Sequence, residues 1–507
     1  MKKKIINLSE LDKILKSINR KEKKIVHCHG VFDVLHIGHL KHFKSAKNYG
    51  DILIISVTPD KFVLKGFARP YFNSEQRMES LASIEVIDYV VLDNSANAVN
   101  IINKIKPNFY AKGQDYKIFK EDITGKIKNE ELAVKKNGGK LIFTNDPIYS
   151  SSSIINRTEN TYNLDQKNFI KKIKSKLNLA NFNKQIEKLQ NLKVLILGET
   201  IIDKYVFCEA LGKSGKEPHL VLRDLREEVY LGGVIAIARN ILDFCKKVTV
   251  ISMLGQDKEY EKYIKKILPK NIKTQFLYKS NSPTIVKKRY IENGSNSKIL
   301  GVYTLNDSIL NKKEELIFKK IVLKEIKKYD LVVVSDYGHG LITKKLAKLL
   351  CQNSKFLALN AQANASNIGY HTIQKYKDVD CVVMNETELR HELRDKNEKV
   401  DILAKKLANM INIKNLIITR GNDGAILYNL DYKKSLSCPA FALKVVDKVG
   451  AGDSMLSIIS IFLKLKFKSM TTLFLGSLAG ALSVGEMSNK VPISKTKLLK
   501  YFNHILK

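Results

Sequence analysis

The chain has no run of about 18 uncharged apolar residues, so no membrane span is expected. Its six cysteines, Cys28, Cys208, Cys245, Cys351, Cys381 and Cys438, are scattered and form no C-x-x-C pair. That pattern argues against a disulfide framework or a zinc knuckle and points to a reducing, cytoplasmic compartment. The opening segment MKKKIINLSELDKILK has lysines but no apolar core, so no secretory signal is expected. Acidic residues are outnumbered, 51 Asp and Glu against 87 Lys and Arg, for a formal charge of +36. The excess is mostly Lys, spread along the chain with Asn and Ile rather than clustered with Arg and aromatics. It reads as solvated surface, with no nucleic-acid module and no such partner expected. A positive field of this kind favours anionic small-molecule substrates. No repeat of 20–50 residues is evident.

With 507 residues the chain exceeds one hydrophobic core and implies two or three domains. Residues 9–20 read as an amphipathic helix capped by Ser9. Thereafter strands alternate with helices: KKIVHCHGVFD, a helix from HIGHLKHF closed by Gly50, DILIISV, SEQRMESLASIE, VIDYVVL, SANAVNIINKIK, PNFYAKG and KLIFTND. This alternation predicts an α/β domain with a doubly wound parallel sheet, whose first strand–turn–helix corner is the ligand position. Residues 158–190 lack Gly and Pro and are rich in Lys, Asn and Gln. They are read as a helical linker between a domain at 1–157 and one at 191–507, where βα alternation resumes.

Four histidines fall within residues 27–40, HCHGVFDVLHIGHL. A metal reading is weak, because His27 and His29 alternate on a strand with no acid or cysteine cluster beside them. His36 and His39, three apart at a helix start, share a face where free N–H groups favour phosphate. Gly38 permits close approach. Imidazoles there can stabilise charge developing as pyrophosphate leaves an α-phosphorus. Three further blocks follow in order: LKGFARPYFNSEQRMESLASIEVIDYVV, KPNFYAKGQDYK and YSSSSIIN. Together they resemble the HxGH nucleotidyltransferases, in the cytidylyltransferase-like group that includes heptose-1-phosphate adenylyltransferase domains. The resemblance implies a Rossmann-like domain in which Gly30, Phe32 and Asp33 frame the turn at the nucleotide. It implies that His36 and His39 bind the triphosphate, Lys65 and Arg77 counter its charge, and Lys112 contacts substrate or phosphate. Ser151, Ser152 and Ser153 would cradle phosphate. Gln114 departs from the family's K-G-G-D, and His27, His29 and His42 are read as structural.

The second signal is VVDKVGAGDSMLSIISIFL, where Gly450, Ala451 and Gly452 break a strand and open an apolar helix. Its free N–H groups can bind a γ-phosphoryl group, with Asp453 beside it as base for an attacking hydroxyl. The blocks VLILGETIIDKY, YLGGVIAIARN, SPTIVKKRY, VVVSDYGHGLI, VVMNETELR and LIITRGNDGAILY precede it in order. They resemble the ribokinase-like, or PfkB, sugar kinases and imply their α/β/α fold. The resemblance implies that Asp203, Gly232 and Gly233 bind sugar hydroxyls, that Lys287 and Arg289 lie near the sugar or its phosphate, and that Asp336 shapes the substrate side. It gives Asn385 and Glu388 to Mg²⁺ through water, Thr419, Arg420 and Gly421 to the nucleotide, and Gly450–Gly452 to the anion hole.

The pair of domains is similar to the bifunctional heptose 7-phosphate kinase/heptose 1-phosphate adenylyltransferase family, with the order reversed. Where that family has G-G-A-A-N, this chain ends the motif at Ala236, and its D-P-K becomes Asn360-Ala361-Gln362. Such exchanges can redirect a sugar site. The resemblance implies a bifunctional enzyme that makes a nucleotide-activated sugar, with Mg²⁺, with ATP and a second NTP (ATP or CTP) as substrates, and with a homodimer by analogy. A CTP-dependent glycerol- or polyol-phosphate cytidylyltransferase fused to an unrelated kinase is the alternative.

Overall fold

The computed structural model describes residues 4–63, 70–114, 126–144 and 162–506. The chain forms two compact units, one of residues up to Asn163 with the segment from Leu499, the other of Leu164–Leu498.

In the first unit, strands β1 (Ile5–Ile6), β2 (Ile25–Gly30), β3 (Ile52–Val57), β4 (Tyr89–Leu92), β5 (Phe109–Lys112) and β6 (Lys140–Phe143) form one sheet. Its order is β1-β4-β3-β2-β5-β6, and every pair is parallel. Runs such as ILIISV suit strands buried on both faces. Leu53, Ile55 and Val57 enter one core with Val26, Cys28 and Phe43, while Ile54 enters the opposite one with Ile25 and Tyr110. The order reverses at β2, which has β3 on one side and β5 on the other, so the crevice lies at their carboxyl ends. Helix α1 (Ile37–Lys47) follows β2, and α2 (Ser74–Ala82) lies between β3 and β4.

Two local expectations are corrected. The first helix, Leu8–Ser17, is capped by Asn7, whose side chain accepts from the Ser9 and Glu10 N–H groups, so Ser9 is not the cap. Helix α1 ends at Asn48, and Gly50 lies beyond it with no left-handed backbone.

The second unit holds a nine-stranded sheet with a small four-stranded one. The large sheet comprises β7 (Lys193–Gly198), β10 (Lys247–Gly255), β11 (Ile272–Lys279), β14 (Leu331–Asp336), β15 (Leu357–Ala361), β16 (Val379–Asn385), β17 (Ile413–Thr419), β18 (Ala425–Asn429) and β19 (Lys434–Cys438). Its order is β11-β10-β7-β14-β15-β16-β17-β18-β19, parallel except for the terminal β17-β18-β19 pairings. The small sheet is β13-β12-β8-β9, from β8 (Thr200–Lys213), β9 (Leu220–Gly233), β12 (Val286–Glu292) and β13 (Lys298–Thr304). Because β7, β14, β15, β16 and β17 run parallel, residues at their carboxyl ends share one edge. Three helices matter there: α3 (Val234–Leu242), α4 (Glu386–Leu393) and α5 (Ala451–Lys464).

The stretch read as a linker contains helices Leu164–Lys174 and Leu179–Lys188, which belong to the second unit. Phe169 packs on Phe441 and Phe474, Phe182 packs on Phe467, and Gln166 donates to the Ala440 carbonyl.

Candidate active sites

In the first unit, β2 hands the chain to α1 through a tight turn. Phe32 takes a left-handed backbone (φ 50°), rare for an aromatic residue and a form of stored strain. Its ring lies under Gly30, where a Cβ would stand 2.8 Å from Cζ, and edge-on to His39 and Phe43. His36 caps α1, its Nδ1 accepting from the Gly38 N–H at 3.1 Å. In the neutral ring the proton therefore sits on Nε2, which is a donor. The His36 and His39 rings stack with centroids 3.9 Å apart. Asp33 is buried and accepts from the Tyr71 and Phe72 N–H groups at 2.7 and 3.0 Å.

Arg77 corrects its expectation. It is 1% exposed, and its guanidinium donates to the carbonyls of Phe72, Val31 and Thr58 and to Asp60 Oδ1. Rather than facing a triphosphate as a surface cation, it fastens the turn after β2 to the end of β3 and the entry to α2. Lys112, at the end of β5, pairs with Glu130 at 3.0 Å above the Tyr110 ring, so its charge is already balanced. Lys65 and Ser151, Ser152 and Ser153 lie outside the described residues.

His27 Nε2 and His29 Nδ1 both meet the Ser56 hydroxyl, at 2.7 and 2.8 Å, and His42 Nδ1 meets Thr144. Burial, with Lys112 nearby, pushes the His27 pKa down to about 3, so it is neutral. Among the described residues, no three His, Cys, Asp or Glu side chains are grouped to hold a metal ion.

In the second unit, Gly450 has a left-handed backbone (φ 84°) and caps α5, and a Cβ there would stand 2.1 Å from Asn489 Oδ1. Asp453, in the first turn of α5, accepts from the Tyr337 hydroxyl at 2.8 Å. Burial, helped by the charge of Asp203, pushes its pKa up to about 7. Tyr337 is itself held. Its N–H donates to Glu199, and its carbonyl accepts from the Asn364 and Asn367 amides. Glu199, just after β7, also accepts from the His339 N–H, and burial beside Asp336 pushes its pKa up to about 7. Tyr337 and Asp453 are far apart in sequence, and no local pattern signals their contact. The block VVVSDYGHG was the only pointer.

Asp203 Oδ1 pairs with Arg289, while its Oδ2 stands 2.4 Å from where a Cβ on Gly232 would be. Gly233 is left-handed (φ 59°) and starts α3. Lys287 is buried over the Tyr303 and Tyr337 rings, and among the described residues no carboxylate lies within ion-pair distance. Burial lowers its pKa. Asp336 is fully engaged by Lys375, the Tyr376 hydroxyl and the Gly338 N–H. Thr419 ends β17, Arg420 pairs with Glu386, and open space surrounds Gly421. Asp447 gathers four donors: Lys298 of β13, the Tyr205 hydroxyl of β8, and the Val449 and Ser488 N–H groups.

Asn385 and Glu388 form a capping box, Asn385 Oδ1 accepting from the Glu388 N–H and Glu388 Oε2 from the Asn385 N–H. The same device closes the helix starts at Asn7–Glu10, Asn73–Gln76 and Asn311–Glu314. Glu314 is also buried, but Ser280 donates twice to it, and its pKa is lowered despite burial. At Glu388 burial outweighs the hydrogen bonds and, with Asp453 nearby, raises the pKa to about 7. A buried carboxylate short of positive charge fits a hydrated Mg²⁺ held mainly through substrate phosphates.

Comparison with known proteins assigns families to both units. Residues 27–157 match the cytidylyltransferase-like family model, and residues 191–496, more than half of the chain, match that of the pfkB family carbohydrate kinases. The bifunctional protein HldE of Campylobacter jejuni subsp. doylei is 28% identical over 319 residues, covering 62% of this chain and 66% of that protein. HldE of Aliarcobacter butzleri is 38% identical over 134 residues, 26% of this chain and 28% of its own. The chain thus spans under two thirds of the length of the curated relatives it matches. Escherichia coli phosphofructokinase-2, solved in complex with potassium, superposes with a TM-score of 0.52 at 16% identity, covering 62% of this chain and 100% of that one, a likeness of fold. No helix among the described residues is long and apolar enough to cross a membrane. With a family match over residues 191–496, which include Asp453 and more than half of the chain, the chain belongs to the pfkB family of carbohydrate kinases.

Proposed function

We propose that the chain carries two phosphorus-transfer sites, an ATP-dependent sugar kinase in the second unit and a nucleotidyltransferase in the first, which together make a nucleotide-activated sugar. The observation that carries the kinase reading is Asp453: a buried carboxylate at a glycine-rich helix start, oriented by Tyr337. In the reaction Asp453 accepts the proton of an acceptor hydroxyl, whose oxygen attacks the γ-phosphorus as the bond to the ADP oxygen breaks. The N–H groups following Gly450 face the transferring phosphoryl oxygens. Glu388 and Asn385 would hold Mg²⁺ through water, and the ion when bound would supply charge neutralisation on the phosphates. Lys287, buried without a carboxylate partner, supports an acceptor that already bears a phosphate, of the heptose 7-phosphate class. Asp203 orients its hydroxyls.

In the first unit, a sugar-phosphate oxygen attacks the α-phosphorus of an NTP and pyrophosphate leaves, with Nε2 of His36 and the His39 ring at the triphosphate. The resemblance to heptose 1-phosphate adenylyltransferase domains, with relatives that are themselves bifunctional proteins, supports ATP and a heptose phosphate over CTP and a polyol phosphate. The test is a screen of the full chain: ADP release from ATP with neutral and phosphorylated sugars, and pyrophosphate release from each NTP with sugar 1-phosphates. ADP release with phosphorylated sugars only is the expected result, and no acceptor-dependent release of either product overturns the reading.

Gly232→Ala brings a methyl group against Asp203 Oδ2. The expected outcome is an acceptor KM raised roughly tenfold with the ATP KM within a factor of two, as loss of one buried polar contact implies. A homodimer is also proposed, supported by the exposed apolar side chains of the small sheet, among them Leu211, Leu220, Leu300 and Val302. Light scattering that returns the mass of a single chain overturns it.

A further inference from the structure

Asn360, at the end of β15, is 6% exposed, yet its side chain makes no hydrogen bond with any described residue. Its Oδ1 is buried and unpartnered. A buried amide without partners costs about 1–3 kcal/mol, so such a group is retained where something else completes it. Its direction is informative. Among the described residues, outside its own helix and chain neighbours, Asn360 Nδ2 alone comes within 4 Å of the place a Cβ on Gly452 would occupy, at 3.7 Å. Gly452 lies in the first turn of α5, a helix of 14 residues whose opening N–H groups have no intrahelical acceptors. The amide thus faces the helix start across the gap that the missing side chain leaves open.

The segment that follows runs toward Glu388, where the Ala363 backbone favours the charged form of the Glu388 carboxylate. Asn360 therefore lies between the helix start and Glu388, in a site that already holds the carboxylates of Asp453, Asp203 and Glu388. A further carboxylate here would repel an incoming phosphate, whereas an amide adds a donor without charge.

Resting on the kinase reading above, we propose that Asn360 is a phosphoryl-binding residue, its Nδ2 donating to an oxygen of the transferring group from the side opposite the Gly450–Gly452 backbone. Its Oδ1 is left to accept from a water or an acceptor hydroxyl. Replacement of the related family's acidic residue by an amide then becomes a charge adjustment that favours the nucleoside triphosphate over the diphosphate.

The test is titration calorimetry on the full chain, with Mg²⁺ and either the non-hydrolysable ATP analogue AMP-PNP or ADP. Any binding by the first unit is common to all variants. For Asn360→Asp, AMP-PNP affinity is expected to fall at least tenfold with ADP affinity within twofold. For Asn360→Ala, which removes a side chain that bonds to no other residue, the expected loss is about threefold to tenfold for AMP-PNP alone. Unchanged AMP-PNP affinity in both variants, or equal losses for the two nucleotides, overturns the assignment. A wild-type chain that binds neither nucleotide overturns the kinase reading itself.

Discussion

Replacing Asp453 by Asn should lower sugar-dependent ADP release by roughly 10²–10⁴-fold, the range for loss of a general base, and leave pyrophosphate release by the first unit unchanged. The substitution keeps the shape of the side chain and its contact with the Tyr337 hydroxyl, so folding is not at stake. Loss of both activities together would contradict two independent sites. The pH dependence follows from the same residue. Burial and the Asp203 charge push Asp453 up to about 7, and only its deprotonated form can accept the hydroxyl proton. Kinase kcat/KM should therefore rise with pH through about 7 and level off above it, not fall across that window. Tyr337→Phe removes a hydrogen bond that favours the charged carboxylate, so the rising limb should move to higher pH. A profile that stays in place with a lower plateau would mean that Tyr337 acts only through packing.

Arg77→Ala should destabilise the first unit by several kcal/mol, about 1–3 kcal/mol for each buried carbonyl left without its donor, whereas the half-exposed Asp60 carboxylate is resolvated. The side chain holds the carbonyls of Val31, Thr58 and Phe72 together with Asp60, and its removal leaves buried acceptors without donors. Calorimetry should show one unfolding transition moved to lower temperature, with transferase activity lost at growth temperature and kinase activity retained. Arg77→Lys separates this from a direct role at the triphosphate. It restores the charge but cannot reproduce the guanidinium fork, so the transition should remain depressed. If lysine instead restores stability, with only the NTP KM raised, Arg77 acts on the nucleotide by charge.

Arg77 also marks the limit of what the sequence makes legible. A motif identifies a basic residue beside a nucleotide site, but burial decides whether its charge faces solvent or the backbone. The alternation of strands and helices was legible because parallel strands buried on both faces carry unbroken apolar runs such as ILIISV and LVVV. The helix start at Gly450 was legible because glycine announces left-handed backbone, whereas Phe32 adopts it without announcement. The helices at 164–188 could be read from their lack of breakers. Their destination could not, since it depends on Phe169 and Phe182 meeting aromatic residues hundreds of positions away. Glu199, Tyr337 and Asn360 belong to the same class. They converge only because β7, β14 and β15 are adjacent and parallel, a property of the whole sheet.

The four Asn-led capping boxes give that lesson a different form. Each is the same way to start a helix, and a chain rich in Asn can form it wherever Glu or Gln follows three residues on. What separates Asn385–Glu388 from Asn311–Glu314 is not the pattern but the surroundings: burial and the Asp453 charge raise one carboxylate, while the Ser280 donors and the Lys279 charge lower the other. A buried helix cap whose carboxylate sits near neutrality is one that a cation would hold in its charged form, so under the kinase reading proposed above the turn that ends β16 would also help to steer a metal-bound phosphate.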